Sequence, residues 1–152
     1  MMFRTLALAT SLVAIAAPAF AASAPVTSTA SPIVKLDVRF TGIEAPTGPI
    51  MFVIFDSEAA YDGKGAPVRA FAAAVKDGVA SQSVDGLPAG RYAIRAFHDI
   101  DGDGKMGSNP FGMPTEPFAF SNNAKGNMGP ATWAQAAFDV GTASTVQTIE
   151  IK

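Results

Sequence analysis

Short stretches in which apolar and polar residues alternate, separated by glycine and proline, constrain the fold more than any other feature of this chain. Between Val34 and Phe40 every second residue is apolar, a period that predicts a strand with one buried face. Ile50–Phe55 is apolar throughout and too short for a helix, which predicts a strand covered on both faces. The pattern therefore predicts an all-β protein, an antiparallel β-sandwich of about seven strands of immunoglobulin-like or transthyretin-like type.

A hairpin is predicted in the middle of the chain. Lys76-Asp77-Gly78 has the composition of a tight turn, so we expect Val68–Val75 to pair with Val79–Val84. Asp85–Gly90 is predicted to be a loop. The remaining predicted elements are a helical turn over Glu58–Tyr61 and strands over Arg91–His98, Ala131–Val140 and Thr145–Ile151, with an irregular, glycine- and proline-rich loop between Gly104 and Pro130.

The first 21 residues have the pattern of an export signal. Arg4 supplies a positive charge, Leu6–Ala17 is apolar, and Ala19-Phe20-Ala21 matches a cleavage site. We expect cleavage after Ala21, a flexible leader over 22–32, and one domain over 33–152. The product is expected in the periplasm or outside the cell, without a transmembrane anchor.

Charge and cysteine content exclude several classes of function. The formal net charge is −2 and no basic cluster is present, so we expect no binding to nucleic acid. The absence of cysteine excludes disulfides, thiolate metal sites and thiol catalysis. The candidate partner is a carbohydrate or a protein outside the cytoplasm.

Three aspartates at alternate positions follow the predicted strand that ends at His98. Asp99, Asp101 and Asp103 would repel one another by about 1 kcal/mol per close pair in water, and a bound cation removes that cost. Together with the glycine that follows them, they match the first half of a calcium loop. The position of the closing bidentate glutamate in an EF-hand is occupied by Pro110, so the loop is not an EF-hand. Calcium is the candidate cofactor, and the predicted ligands are Asp99, Asp101, Asp103 and the carbonyl of Lys105. Asn109, Glu116 or carbonyls of the glycine- and proline-rich loop are the candidates that replace the missing glutamate.

Three other interpretations of this region stay open. The acidic loop can be a solvated turn, because Asp-Gly pairs commonly form turns. The only histidine, His98, can act with Asp99 or Glu116 in a metal-assisted hydrolase, although a histidine that braces the loop by a hydrogen bond is the simpler interpretation. A carbohydrate or peptide binding module would use loop aromatics and amides. Its predicted ligand-binding residues are His98, Phe111, Phe118, Phe120, Asn122 and Trp133. We expect a non-enzymatic protein.

The segment LPAGRYAIRAFHDIDGDGKMGSNPFGMPTEPFAFSNN, followed by NMGPATWAQAAF, resembles a group of bacterial secreted proteins, domain-of-unknown-function family number 2141. The motifs that carry the resemblance are the GRYA strand, the HD pair, the acidic loop, G-x-P-x-E and FSNN. The resemblance covers most of the chain from Ile33 to Lys152. It implies a β-sandwich with a signal peptide and no established activity.

Two positions differ from the pattern of the family that the chain resembles. Its members typically have an acidic residue at the position of Gly107, and a glycine at the position of Pro117. The missing carboxylate implies weaker ion binding. Asp101 and Asp103, at positions where relatives often have asparagine, imply the opposite because they add charge.

Overall fold

Two facing β-sheets form the part of the chain that the structure describes. The structure is a computed structural model, and it describes residues 33–45 and 47–152, so the predicted signal peptide and leader lie outside it. The strands within these residues are β1 (Ile33–Thr41), β2 (Ile50–Phe55), β3 (Arg69–Ala73), β4 (Val75–Lys76), β5 (Val79–Pro88), β6 (Gly90–His98), β7 (Phe118–Phe120), β8 (Phe138–Val140) and β9 (Thr145–Glu150). Two short helices, α1 (Glu58–Tyr61) and α2 (Trp133–Ala136), and a 3-10 turn (Ser121–Asn123) complete the elements.

The topology confirms an all-β, sandwich-like fold. One sheet has the strand order β4-β5-β1-β9, and the other has the order β3-β2-β6-β7, with β8 pairing along the same strand β6. The pairs are antiparallel except for β1 and β9, which run parallel. The described residues thus form nine strands, two more than the seven expected. The pairing of β1 with β9 is parallel, whereas an antiparallel sandwich was expected. No helix in this part of the chain is long and apolar enough to cross a membrane.

The core lies between the sheets, where the alternating residues of β1 meet β2. Leu36, Val38 and Phe40 are at most 1% exposed, and each such buried side chain contributes about 1.5–3 kcal/mol through the hydrophobic effect. Phe40 packs on Phe52 with ring centroids 5.1 Å apart. The predicted strands β1 and β2 and the predicted helical turn α1 are confirmed.

A second apolar cluster covers the outer face of β2 and β6. It contains Phe55, Tyr61, Phe120 and, at its border, Trp133. The guanidinium of Arg95 lies 4.0 Å from the centroid of the Tyr61 ring, a cation–π contact. This cluster explains why β2 is apolar on both faces.

The segment Val68–Val75 is not one strand, which corrects the predicted hairpin. β3 pairs with β2 in one sheet, whereas β4 pairs with β5 in the other. Only two residue pairs, Val75↔Ala80 and Lys76↔Val79, form the hairpin around the turn at Asp77 and Gly78. The chain changes sheet at Ala74, so that five residues before it pair with β2 and two residues after it pair with β5.

Three other predicted segments differ in part from the structure. The expected loop at Asp85–Gly90 is mostly strand, since β5 continues through Pro88. Gly86, with φ 82°, is the extra residue of a bulge that returns Leu87 to the core. The predicted strand Ala131–Val140 begins with helix α2, whose start is stabilised because the Gln135 side chain accepts a hydrogen bond from the Thr132 backbone N–H (3.0 Å). The loop after Gly104 likewise contains a short strand, β7.

The two tyrosines of the chain are expected to ionise at higher pH in the folded protein than in the unfolded protein. Burial raises the pKa of both Tyr61 and Tyr92 above the ordinary value of 10.0, and their hydroxyls donate to the carbonyls of Ala131 and Pro88. Because the pKa is raised in the folded state, each protonated tyrosine contributes to the free energy of unfolding, and this contribution is fully present below the unfolded-state pKa of about 10. It is lost as the pH rises through the folded-state pKa. We expect the tyrosinate absorbance of folded protein to rise at higher pH than that of protein in urea. Identical midpoints in the two states would contradict this, and Tyr92→Phe would assign the remaining titration to Tyr61.

Candidate functional site

Strand β6 delivers His98 and Asp99 to one end of the sandwich, where the loop at 47–49 holds them. The backbone N–H of Asp99 donates to the Pro49 carbonyl (3.0 Å), and Nε2 of His98 donates to the Thr47 carbonyl (2.8 Å). Gly48, with φ 82°, lies directly against the Asp99 carbonyl, where a Cβ atom would be 1.9 Å from the oxygen. His98 is 1% exposed, and Asp99 is 3% exposed. The start of the acidic loop is therefore fixed by tertiary contacts.

The acidic loop is ordered by its own carboxylates. Oδ1 of Asp101 accepts a hydrogen bond from the Asp103 N–H (3.1 Å), and Oδ1 of Asp103 accepts from the Lys105 N–H (2.8 Å). The intervening residues Gly102 and Gly104 have φ values of 75° and 76°, the left-handed region that glycine adopts without strain. These turns bring together one carboxylate oxygen each from Asp99, Asp101 and Asp103, all within 4.8 Å of one another.

Asp99 differs from the other two aspartates because it is buried and only half satisfied. Its Oδ2 accepts a hydrogen bond from the Gly104 N–H (3.0 Å). Its Oδ1 is buried and has no hydrogen-bond partner among the described residues. Asp101 and Asp103 are exposed. A buried carboxylate oxygen without a donor is destabilising, and the cost of desolvating such a charge reaches several kcal/mol.

Glu116 closes the loop from the other side. Its Oε1 accepts a hydrogen bond from the Ile100 N–H and its Oε2 from the Gly107 N–H, each at 2.9 Å. The carboxylate therefore joins the two ends of the acidic loop through backbone groups. The cluster of carboxylates that the structure assembles consists of the three aspartates and does not include Glu116.

Beyond the acidic loop, residues 107–115 form a small hairpin with its own hydrogen bonds. Ser108 pairs with Pro114, and the Thr115 N–H donates to the Gly107 carbonyl (2.9 Å). Oδ1 of Asn109 accepts from the N–H groups of Phe111 and Met113, both at 3.0 Å. Asn109 thus shapes the tip of this hairpin, and its bonds do not direct it to the aspartates.

The glycine at 107 has a steric explanation. A Cβ atom there would lie 2.6 Å from Oγ1 of Thr115. A larger residue, including the acidic residue expected from the resemblance, requires the Thr115 side chain to move. Pro117 accepts through its carbonyl from the His98 N–H (2.9 Å), so the position also ties the loop back to β6.

The predicted ligand-binding residues do not share one surface. Phe118 and Phe120 line a cleft of about 310 Å³ beside the end of β9, and His98 lines a second cleft of about 500 Å³. Phe120 is buried, and Trp133 is half-buried with its ring packed against Tyr61. Phe111 is 88% exposed at the hairpin tip.

Sequence reasoning missed the connecting role of the three residues after β7. Oγ of Ser121 donates to the Ala136 carbonyl (2.6 Å) and accepts from the Ile94 N–H (2.8 Å). The Asn122 side chain donates to the Ala137 carbonyl (2.9 Å). Consecutive short polar residues indicate side-chain-to-backbone bonding, but the partners lie far away in the sequence.

Asn123 completes the same connection at the edge of β9. Its side-chain Oδ1 accepts from the Glu150 N–H (2.8 Å), and its Nδ2 donates to the Thr148 carbonyl (3.4 Å). The Asn123 amide therefore makes the hydrogen bonds to Thr148 and Glu150 that a neighbouring strand would otherwise make. Through residues 121–123 one sheet is joined to the edge of the other.

Comparison with known proteins gives one family match. Residues 38–148 match the domain-of-unknown-function family 2141, described as uncharacterised protein conserved in bacteria. Searches of curated proteins and of solved structures found no significant match. The match covers most of the chain, includes every candidate site residue, and confirms the resemblance in the sequence. The chain therefore belongs to domain-of-unknown-function family 2141, the uncharacterised proteins conserved in bacteria.

Proposed function

We propose that this protein is an exported, non-enzymatic β-sandwich protein whose Asp99, Asp101 and Asp103 bind a calcium ion that orders the loop beyond them. The single observation that carries the proposal is the carboxylate of Asp99, which is buried, has no donor for its Oδ1, and contributes one oxygen to a group of three carboxylates within 4.8 Å. A cation in this group compensates the buried charge of Asp99 and removes the repulsion between the three charges.

Calcium suits the arrangement better than other common cations. It accepts six to eight oxygen ligands in irregular geometry, whereas magnesium requires a nearly octahedral set. Asp101 and Asp103 each use one oxygen for a backbone N–H and keep the other free. With Asp99 they supply a few oxygens from one side, so water or another ligand completes the coordination. An incomplete protein ligand set of this kind predicts weak affinity, in the range of extracellular calcium modules.

The surroundings of His98 support a structural role within this proposal. Its Nε2 donates to a backbone carbonyl, and the ring is 1% exposed. Both oxygens of Glu116 accept backbone N–H groups. A general acid or base must reach the substrate proton. The hydrogen bonds of His98 and Glu116 instead direct both side chains to backbone groups of the protein. We assign His98 and Glu116 to bracing the loop.

Calcium is expected to raise the thermal stability of the protein. For a dissociation constant of about 10⁻⁴ M, a hundredfold excess of calcium stabilises the folded state by about 2.7 kcal/mol, which corresponds to several degrees in the unfolding midpoint. The measurement is thermal unfolding of the purified protein with calcium and then with chelator. An unchanged midpoint at millimolar calcium would refute the proposal.

The double variant Asp101→Asn, Asp103→Asn tests the ligands directly. Asparagine keeps the Oδ1 acceptors that form the two turns, so the variant is expected to fold with undiminished stability in chelator. Its calcium shift is expected to be much smaller, because an NH₂ group replaces the free carboxylate oxygen at each position and two negative charges are removed. Asp85→Asn is the matched control, because Asp85 is an exposed aspartate on β5. It should retain the full shift.

A further inference from the structure

The acidic loop and the hairpin that follows it together expose several large apolar side chains, of which Phe111 and Met113 belong to the hairpin. Of the seven large apolar residues that stand out as exposed among the described residues, four lie between Ile100 and Met113: Ile100 at 38%, Met106 at 36%, Phe111 at 88% and Met113 at 59%. Single exposed apolar residues are ordinary, but several within one short segment indicate an interaction site. We infer that this hairpin is a calcium-dependent docking site for a bilayer surface that contains anionic phospholipid, an inference that rests on the calcium site proposed above.

The tip is built to hold its apolar side chains outward. Asn109 accepts hydrogen bonds from the N–H groups of both Phe111 and Met113, and the Asn109 N–H donates to the Met113 carbonyl (2.9 Å). These bonds fix the turn before any partner arrives. Binding therefore loses little conformational entropy, which is the benefit of preorganisation.

The shape of the patch favours a bilayer over a folded protein. A stable protein interface uses roughly 20–30 residues on each side. Here a narrow hairpin of nine residues, 107–115, carries two strongly exposed side chains at its end. A phenylalanine and a methionine this exposed at a hairpin tip can enter the boundary between headgroups and acyl chains, as apolar residues of interfacial segments do.

The charge of the same region supplies the calcium dependence. Without an ion, the carboxylates of Asp99, Asp101, Asp103 and Glu116 outnumber the single base Lys105, so the region is repelled by an anionic surface. A calcium ion bound by the aspartates would change the formal charge of these five side chains from −3 to −1 and so weaken the repulsion. Because the aspartates supply only a few of the six to eight oxygens that calcium takes, phosphate oxygens of a lipid could complete its coordination.

Vesicle co-sedimentation of the purified protein tests the inference. Binding is expected in millimolar calcium to vesicles that contain phosphatidylglycerol, and not in chelator or to phosphatidylcholine alone. Phe111→Ser with Met113→Ser should lower the partition into these vesicles about tenfold or more, because two apolar side chains no longer enter the interface. Met128→Ser is the matched control, since Met128 is fully exposed but lies outside the hairpin.

Thermal unfolding without vesicles separates this inference from the ion site. The tip variant should keep the full calcium shift of the midpoint. A calcium shift without vesicle binding would overturn the docking inference and leave the ion site in place, and the absence of both effects would overturn both. Equal binding in chelator, to neutral vesicles, or by the tip variant would also overturn the docking inference.

Discussion

Gly48→Ala is expected to destabilise the protein by about 3 kcal/mol or more, the sum of a left-handed backbone penalty and a severe overlap. Gly48 has φ 82°, and its Cβ atom would lie 1.9 Å from the Asp99 carbonyl oxygen and 3.0 Å from Cα of Ile100. The atoms in the way belong to the backbone, so no side-chain rotation relieves the clash. Either the 47–49 loop or the first residues of the acidic loop must move. The measurement is the free energy of unfolding in urea.

Gly63→Ala is the matched control for this prediction. Gly63 has nearly the same φ, 79°, but no atom lies within 4 Å of the position that its Cβ would occupy. It should therefore lose only the backbone penalty, roughly 1–2 kcal/mol. Equal losses for the two variants would contradict the close packing of Gly48 on Asp99. Because Gly48→Ala also displaces Asp99, we expect it to reduce the calcium shift, whereas Gly63→Ala should retain it.

Ser121→Ala is expected to cost about 2–5 kcal/mol, because it leaves two buried backbone groups without partners. Ser121 is 0% exposed, and its hydroxyl bonds both the Ile94 N–H and the Ala136 carbonyl. Ile94 lies where the edge of β6 changes partner, between the residues that pair with β8 and those that pair with β7. Neither β7 nor β8 pairs with Ile94, so the hydroxyl oxygen of Ser121 accepts the hydrogen bond from the Ile94 N–H.

Two measurements define the outcome for Ser121→Ala. Urea unfolding should show the loss of stability, and amide hydrogen exchange should show faster exchange at Ile94. The same chemical change at the exposed Ser81 should alter stability by no more than about 0.5 kcal/mol. A Ser121→Ala variant within that range, with unchanged protection at Ile94, would show that the hydroxyl is dispensable.

Elements defined by local periodicity were predicted well. β1 and β2 follow from an alternating pattern and a short apolar run, and α1 from two potential capping residues, Asp56 and Ser57, of which Ser57 is the N-cap. The three aspartates also form a cluster, as their spacing indicated, because alternate aspartates separated by left-handed glycines fold back on one another. Each of these features depends on residues that are neighbours in the sequence.

Features that depend on distant residues were missed. The break between β3 and β4 arises from competition between β2 and β5 for the same segment. Helix α2 replaced part of a predicted strand, although Thr132 and Gln135 carry a helix-start signature that was readable from the sequence. The parallel pairing of β1 with β9 joins opposite ends of the described chain, and no local pattern specifies it.

The sequence by itself determined the all-β class, the two central strands and the row of aspartates, because side-chain alternation and residue spacing act within a few residues. Only the tertiary structure decided that Asp99 is buried with one unsatisfied oxygen while Asp101 and Asp103 face solvent. It also decided that Glu116 closes the loop through backbone N–H groups and that Phe111 stands outward at a hairpin tip. The physical reason is that burial and hydrogen-bond satisfaction are set by which distant segments, here the 47–49 loop and residues 107–116, pack against the end of β6.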